Sequence, residues 1–152
     1  MECVRGFPDL PPIWMAGFGA LQWGLGQVTP VLGDRSVSAF GTGLIVIGMC
    51  LILWSASYFI RHKTPIEPGQ TPSHLIATGP YKLSRNPIYL AMAVMLTGWT
   101  LWLGVLAGLV LVPIFGFVIT RRFIVHEEAA LRAEFGLKAE QFFDDTARWI
   151  IR

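Results

Sequence analysis

The sequence contains 152 residues, of which 53% are hydrophobic and only 14% are charged. This composition is more apolar and less charged than that of a soluble globular domain, so it excludes an ordinary soluble enzyme and favours a protein that lies in a lipid bilayer. The net charge of +2 adds little to this, and we expect no nucleic-acid partner.

Two uncharged stretches occupy the first part of the chain, at residues 10–33 and 36–60. Each is long enough to cross a bilayer, because a membrane-spanning helix needs about 20 apolar residues. We therefore predict membrane-spanning helices at about 12–32 and 37–60. The first stretch is the less apolar of the two, since it contains Pro11, Pro12, Gln22, Gln27 and Pro30.

A polar loop is predicted at 61–86. Its four prolines cannot continue a helix, because proline lacks the backbone donor; they are Pro65, Pro68, Pro72 and Pro80. The next helix is predicted to begin at Asn86-Pro87, since Asn is a favoured N-cap and Pro suits the first helical position. The unpaired N–H groups of that helix would then face the cytosol.

A third uncharged stretch lies between Arg85 and Arg121. As one straight helix it would be roughly 52 Å long, whereas the hydrocarbon core of a bilayer is roughly 30 Å thick. Folding the chain back within Gly98–Gly104 gives two helices, at 87–102 and 104–121. The sequence therefore predicts an all-α polytopic membrane protein with about four transmembrane helices, of which the last two form a hairpin.

The basic residues predict the orientation in the membrane. Ten of the twelve Lys and Arg residues lie in 61–85 or 121–152. The positive-inside rule places both segments, and with four crossings both termini, in the cytoplasm. We expect an integral protein of the inner (cytoplasmic) membrane or of an intracellular membrane, with a cytoplasmic tail at 122–152.

Two apparent motifs do not predict chemistry. His126-Glu127-Glu128-Ala129-Ala130 begins like the HExxH zinc motif, but its last position is Ala rather than His, so no metal site is expected. The small residues at 41–43 and 104–108 resemble nucleotide-binding or dimerisation signatures. In membrane spans such residues usually allow helices to pack closely, and we prefer that interpretation.

The polar residues at the two open ends of the hairpin are the candidates for chemistry. The hairpin should bring Arg85, Asn86 and Tyr89 close to Glu127 or Glu128, although some 40 residues separate the two groups. Glu127 and Glu128 lie about 100° apart around a helix, so both can face one pocket only if the helix is locally distorted.

Structural roles compete with these functional ones. Arg85 and Lys82 can anchor lipid phosphates, and Tyr81 and Tyr89 can be interfacial aromatic residues. Glu128 can pair with Arg132 one turn later on a helix. His126 can act as a base near neutral pH, although an interfacial histidine is more often a bystander.

Four segments in order carry a family resemblance: Thr64–Pro68, Leu75–Tyr81, Arg85–Leu90, and Glu127-Glu128-x-x-Leu131 followed by Phe135-Gly136. They resemble the integral membrane methyltransferases related to isoprenylcysteine carboxyl methyltransferase and phosphatidylethanolamine N-methyltransferase. The chain departs from the carboxyl-methylating relatives at Asn86, where many of them have His. It also has Phe142 and Phe143 where a Tyr pair is usual. Asn86 favours an acceptor other than a strict isoprenylcysteine.

The resemblance implies an S-adenosylmethionine-dependent methyltransferase that releases S-adenosylhomocysteine. The acceptor would be lipophilic and reach the cytoplasmic face from the membrane lipids, as an isoprenylcysteine-type carboxylate or a lipid amine or thiol. The implied catalytic residues are Arg85, Asn86, Glu127 and Glu128. The implied donor-binding residues are Gly79, Pro80, Tyr81, Arg85, Asn86, Pro87, Tyr89, Glu127 and Glu128.

The chemistry of the donor agrees with this set. The carboxylate of the donor can bind to Arg85 and to the free N–H groups at the start of a helix, and its ammonium can bind to Glu127 or Glu128. Its adenosine requires apolar and aromatic side chains around it. The loop and the cytoplasmic tail together should form the cofactor site, with Leu131, Phe135, Phe142 and Phe143 covering the donor as a lid. The alternative is a non-catalytic scaffold or an S-adenosylmethionine-binding sensor with the same fold.

Overall fold

A computed structural model describes residues 9–30, 33–62 and 74–150 of the chain. All regular secondary structure within these ranges is helical, which confirms the predicted all-α class. The helices are α1 (Pro11–Gly26), α2 (Arg35–Arg61), α3 (Pro87–Leu103), α4 (Leu111–Ile119), α5 (Val125–Phe135) and α6 (Leu137–Asp145). There are also two 3-10 turns, Gly79–Lys82 and Leu106–Val110, and a π-helical turn, Thr120–Ile124.

α1 is shorter than the predicted span at 12–32. Its 16 residues make a helix about 24 Å long, which ends at Gly26. The chain leaves the helix in a turn, where the Thr29 hydroxyl donates a hydrogen bond to the Leu25 carbonyl at 2.7 Å. Gly26 and Pro30 oppose continuation of the helix, so the prediction extended it too far.

α2 agrees with the predicted span at 37–60 and is capped at its start. The Asp34 carboxylate accepts a hydrogen bond from the Val37 N–H at 3.0 Å, which satisfies one of the unpaired donors of the first turn. The helix has 27 residues and ends at Arg61. Its length exceeds what a bilayer crossing requires.

Apolar side chains of α2 are exposed along most of its length, among them Phe40, Val46, Ile47, Leu53 and Ile60. Within the described residues, two helical stretches are long and apolar enough to cross a membrane: Arg35–Arg61 and the continuous Leu106–Phe135. Pro87–Leu103 is apolar but shorter. An exposed apolar helix of this kind is stable in lipid rather than in water, so the chain is a membrane protein.

The chain folds back between α3 and α4 at Gly104. This glycine has a φ of 70°, the left-handed conformation that ends many helices. The predicted hairpin is therefore present, but α3 continues through Trp99 and Trp102 to Leu103, so the turn lies at the end of the predicted segment. The rings of the two tryptophans stack with their centroids 5.1 Å apart.

α2 and α3 pack at the distance that glycine permits. A Cβ at Gly41 would lie 2.6 Å from the Gly98 carbonyl oxygen and from the Trp102 nitrogen, both backbone atoms. The same contact is seen from Gly98, where a Cβ would lie 2.6 Å from the Gly41 oxygen. Gly43 has nothing within 4 Å of its Cβ position, so only Gly41 of this small-residue pair serves the close packing.

α4 runs into α5 without a loop, because the π-helical turn Thr120–Ile124 connects them. α5 ends at Phe135, and Gly136, with a φ of 53°, separates it from α6. The predicted end of the span at 121 therefore falls inside a continuous helix, and the tail begins as its extension.

The helix ends that carry polar residues meet at one face of the bundle. The Asp9 carboxylate, just before α1, pairs with Arg122 in the middle of the π-helical turn, with 2.7 Å between Oδ2 and Nη2. Phe59, near the end of α2, contacts the ring of Tyr81, which lies before α3. This is the face that the basic residues predict to be cytoplasmic.

Two hydrophobic clusters pack on either side of that face. The bundle cluster lies among the helices and contains Phe18, Tyr89, Met92, Leu96, Phe115, Ile119, Phe123 and Ile124. The cap cluster joins the loop to the tail and contains Ile76, Tyr81, Ala139, Phe142 and Phe143. The candidate site lies where the two clusters meet. Residues 63–73, which include part of the predicted loop and the Thr64–Pro68 segment, lie outside the described residues.

Candidate functional site

Arg85, just before α3, is bound to the C-terminal part of the chain on three sides. Its backbone N–H donates to the Ala147 carbonyl at 2.9 Å, and its Nε donates to the Thr146 carbonyl at 2.7 Å. Its Nη1 lies 3.0 Å from Glu128 Oε1. The guanidinium also stacks over the Phe143 ring, 4.7 Å from its centroid. Arg85 therefore joins the loop to two parts of the tail, namely Glu128 of α5 and the residues that follow α6.

Glu128 is the buried carboxylate at the centre of the ion-pair network. Its residue is 3% exposed, and both of its oxygens are paired. Arg85 contacts Oε1, while Arg148 donates from Nε to Oε1 at 2.9 Å and from Nη2 to Oε2 at 2.6 Å. The alternative role considered for Glu128, a pair with Arg132, is not formed, because Arg132 pairs instead with Glu140 at 2.7 Å.

Asn86 occupies the N-cap position of α3, but its side chain does not cap the helix. The amide Nδ2 instead donates to the Arg148 carbonyl at 3.0 Å, and the Ser84 hydroxyl donates to the same oxygen at 3.0 Å. The predicted start of the helix at Asn86-Pro87 is confirmed, but the Asn86 side chain does not cap it, because the tertiary fold brings the Arg148 carbonyl to the amide nitrogen and fixes the amide there. Asn86 thus recognises the tail backbone.

Glu127 has a different partner from Glu128 and contacts the start of α3. Its Oε1 accepts a hydrogen bond from the Tyr89 hydroxyl at 2.6 Å. Glu127 lies beyond Arg121 and Arg122, outside the apolar part of the span. Burial raises the pKa of the Glu127 carboxyl, the hydrogen bond from Tyr89 lowers it, and the negative charge of Glu128 raises it further, with a net increase.

The charge of Glu127 also acts on Tyr81, although no hydrogen bond joins the two side chains. The Tyr81 ring packs in the cap cluster against Phe59, with 5.8 Å between the ring centroids. Its hydroxyl oxygen is buried and has no hydrogen-bond partner among the described residues. Burial first, and then the charge of Glu127, raise the pKa of Tyr81, so it stays a neutral hydroxyl. A buried hydroxyl that has no partner among the described residues is available for a hydrogen bond to a polar ligand.

The π-helical turn explains how adjacent glutamates reach different partners near one site. A π turn inserts an extra residue and changes the direction in which the following side chains point, and such turns are frequent at functional sites. Thr120–Ile124 lies just before Glu127 and Glu128. The local distortion that the sequence required therefore precedes the pair, and the two carboxylates contact Tyr89 and the two arginines respectively.

Three of the predicted site residues have structural roles here. Gly79 has a φ of 62°, and a Cβ at this position would overlap the Tyr58 ring. Pro80 and Pro87 are fully buried, and Pro87 begins α3. Lys82 and His126, for which bystander roles were considered, are both exposed.

Arg148, Thr146 and Ser84 belong to this network and were not predicted from the sequence. Arg148 lies in the predicted cytoplasmic tail, but none of the motifs identified in the sequence includes it. No local spacing relates it to Glu128, because 20 residues separate the two and their contact depends on the path of α6.

A family model described as phospholipid methyltransferase matches residues 37–138, about two thirds of the chain. No curated protein and no solved structure gives a significant match. The matched range contains the loop, the hairpin and both glutamates, and it supports the resemblance seen in the ordered motifs. Membership indicates methyl transfer to a lipid-type substrate at a membrane. The chain belongs to the phospholipid methyltransferase family.

Proposed function

We propose that this protein transfers a methyl group from S-adenosylmethionine to a lipophilic acceptor at the cytoplasmic face of the membrane. The observation that carries the proposal is the hydrogen bond from Tyr89, a residue of the bundle cluster, to Glu127, whose charge also acts on Tyr81 in the cap cluster. The polar site is thereby bounded by the bundle cluster on the membrane side and by the cap cluster on the cytoplasmic side. Such a position suits a water-soluble donor and a lipid-soluble acceptor.

The charges at the site fit the amino-acid end of the donor. Arg85 and Arg148 both bind the carboxylate of Glu128, so two guanidinium groups lie together at this point of the site. Glu127 provides a negative charge next to it. A zwitterion with a carboxylate and an ammonium matches this pair of unlike charges. The unpaired hydroxyl of Tyr81 offers an additional hydrogen bond to the ligand.

We infer a division of roles among the predicted residues. Glu127, Tyr81 and Tyr89 would contact the ligand, because among the described residues the Tyr81 hydroxyl has no hydrogen-bond partner and Tyr89 and Glu127 bind each other. Glu128 and Asn86 would hold the tail in place. Arg85 would do both, since its side chain is 16% exposed although it is bound to Glu128 and to Thr146.

When bound, the donor would supply an electrophilic methyl group on a sulfonium. The residues of the chain would act mainly by position, since holding reactants in line can contribute about 7–11 kcal/mol to lowering a barrier. An ionised carboxylate next to the sulfonium would stabilise a charge that disappears in the transition state, and would slow the reaction. We therefore assign Glu127 to the ammonium or ribose of the donor or to the acceptor.

The acceptor would enter from the bilayer. Tyr89 and Phe123 belong to the bundle cluster, and their rings lie 6.4 Å apart beside Glu127. An acceptor with an apolar tail could keep the tail in lipid while its head group reaches Glu127. The family favours a lipid-type substrate, and amine, carboxylate and thiol head groups are all compatible with this position.

Titration calorimetry of the detergent-solubilised protein tests donor binding. We expect S-adenosylmethionine and S-adenosylhomocysteine to bind to the wild type and to bind much more weakly to Glu127→Gln. Arg122→Ala, which removes an exposed ion pair with Asp9, is the control and should bind like the wild type. Absence of binding by the wild type would contradict the proposal.

Transfer of a radiolabelled methyl group to a total lipid extract tests the reaction itself. We expect label in a lipid fraction with the wild type and a large loss with Glu127→Gln. Donor binding without transfer to any lipid fraction would favour the sensor over the enzyme.

A further inference from the structure

The end of the chain lies across the start of α3 as a strap, defined as residues 146–149. Its backbone carbonyls accept hydrogen bonds from the loop: Arg85 donates to Thr146 and Ala147, and Ser84 and Asn86 donate to Arg148. At its end, the Trp149 indole donates to the Thr120 hydroxyl at 3.2 Å. The strap therefore connects the loop before α3 with the π-helical turn after α4.

Arg148 is the charged contact that closes this strap. Its guanidinium binds both oxygens of Glu128, at 2.9 Å and 2.6 Å, while its own carbonyl accepts the two hydrogen bonds from Ser84 and Asn86. Both the side chain and the backbone of one residue are thus held. A bidentate guanidinium–carboxylate pair with a buried carboxylate is the strong form of this interaction.

We propose that Arg148 is a positioning residue of the methyl-transfer site. Through Glu128 it fixes the strap, and the strap in turn holds the backbone and Nε of Arg85 and the amide of Asn86. This inference rests on the proposed function, because it assigns the strap to the same donor site. Arg148 itself need not touch the donor, since its guanidinium is directed at Glu128.

A second arginine of the chain provides a matched comparison. Arg122 also binds a carboxylate with two nitrogens, at 3.2 Å and 2.7 Å from Asp9. Its side chain is 46% exposed, close to the 41% of Arg148. The difference is what each carboxylate holds: Asp9 is also bound by the Trp14 indole, whereas Glu128 is also bound by Arg85. Arg122→Ala therefore removes a similar ion pair without loosening the strap.

Hydrogen exchange followed by mass spectrometry tests the mechanical part of the proposal without any ligand. The Arg85 N–H donates to Ala147, so its protection depends on the strap. We expect peptides that cover Arg85 to exchange at least about 10-fold faster in Arg148→Ala than in the wild type or in Arg122→Ala. Unchanged exchange in Arg148→Ala would overturn the proposal.

Donor affinity and turnover test the positioning part. We expect Arg148→Ala to raise the donor KM about 10-fold or more with a smaller change in kcat, and Arg148→Lys to be intermediate because Lys cannot bind both oxygens. In a Glu128→Gln background, Arg148→Ala should have little further effect, since the two residues act as one unit. Additive effects, or an unchanged KM in Arg148→Ala, would overturn the assignment.

The two measurements also separate this inference from the proposed function. If the wild type binds no S-adenosylmethionine, the donor assignment fails whatever the exchange shows. If the wild type binds the donor and Arg148→Ala exchanges faster but keeps its KM, the strap is structural only and the positioning role is wrong. If Arg148→Ala does not fold, Arg148→Lys carries both measurements.

Discussion

The Tyr89 hydroxyl donates a 2.6 Å hydrogen bond to Glu127, and this contact joins the first turn of α3 to the first turn of α5. The two residues are 38 positions apart in the sequence, but the α3–α4 hairpin returns the chain to the same face. Glu127 is thereby held by the membrane bundle, whereas Glu128 is held by the loop and the strap. Neighbouring carboxylates thus have separate environments and, we infer, separate roles.

Tyr89→Phe should weaken donor binding without unfolding the protein. The substitution keeps the ring in the bundle cluster but removes the hydroxyl that orients Glu127. A hydrogen bond to a charged group contributes about 1.5–3 kcal/mol, so we expect a roughly 10- to 100-fold increase in the donor Kd. Titration calorimetry measures it, with the thermal midpoint as the check on folding. A Kd within twofold of the wild type would mean that Tyr89 does not orient Glu127 for binding.

Glu127→Gln should make the folded protein more stable at neutral pH. The pKa of Glu127 is raised above its ordinary value of 4.5, so the folded state binds more protons than the unfolded state above that pH, and stability falls as the pH rises through the raised pKa. Gln does not ionise and avoids this loss. Thermal midpoints should favour Glu127→Gln at pH 7.5 and converge with those of the wild type near pH 4.

The exposed Glu134 on the same helix provides the control for this pH dependence. Glu134→Gln removes the same ionisable group from a solvated position and should show no comparable gain at pH 7.5. A gain equal to that of Glu127→Gln would point to a general effect of net charge.

Gly79→Ala should destabilise the protein, because this position combines a φ of 62° with a Cβ site that the Tyr58 ring already fills. We expect a loss of about 1–3 kcal/mol from the backbone conformation alone. Gly17→Ala is the matched control, since Gly17 lies within α1 with nothing within 4 Å of its Cβ position. Ala there should be neutral or stabilising by up to about 1 kcal/mol. The thermal midpoints in detergent measure the difference. A higher midpoint for Gly79→Ala than for Gly17→Ala would contradict the conformation of the loop at Gly79.

Gly41→Leu should separate α2 from α3, because the new side chain would meet backbone atoms of Gly98 and Trp102 that cannot move aside. Gly43→Leu, two residues later on the same helix, should be tolerated, since its Cβ position is open. We expect overpacking to cost at least about 1–3 kcal/mol at Gly41. Yield of monodisperse protein and the thermal midpoint measure the difference. Equal behaviour of the two variants would argue against close packing of α2 on α3.

The sequence by itself determined the membrane environment, the helical class, the hairpin and the family. These follow from local properties of the sequence: the long uncharged stretches, the prolines of the loop, the glycines at the chain reversal within Gly98–Gly104, and the short motifs in a fixed order. In a bilayer the backbone N–H and C=O groups cannot bind water, so they form hydrogen bonds within each segment. Apolar stretches of this length are therefore helices.

Only the tertiary structure decided how the polar residues divide their contacts. Asn86 binds the Arg148 carbonyl instead of capping α3, and Glu128 binds Arg85 and Arg148 instead of Arg132. When a side chain has several possible partners, it binds the one that the fold brings within about 3 Å and shields from water. That depends on the π-helical turn, on α6 and on the course of the strap, none of which has a local signature that singles out Arg148.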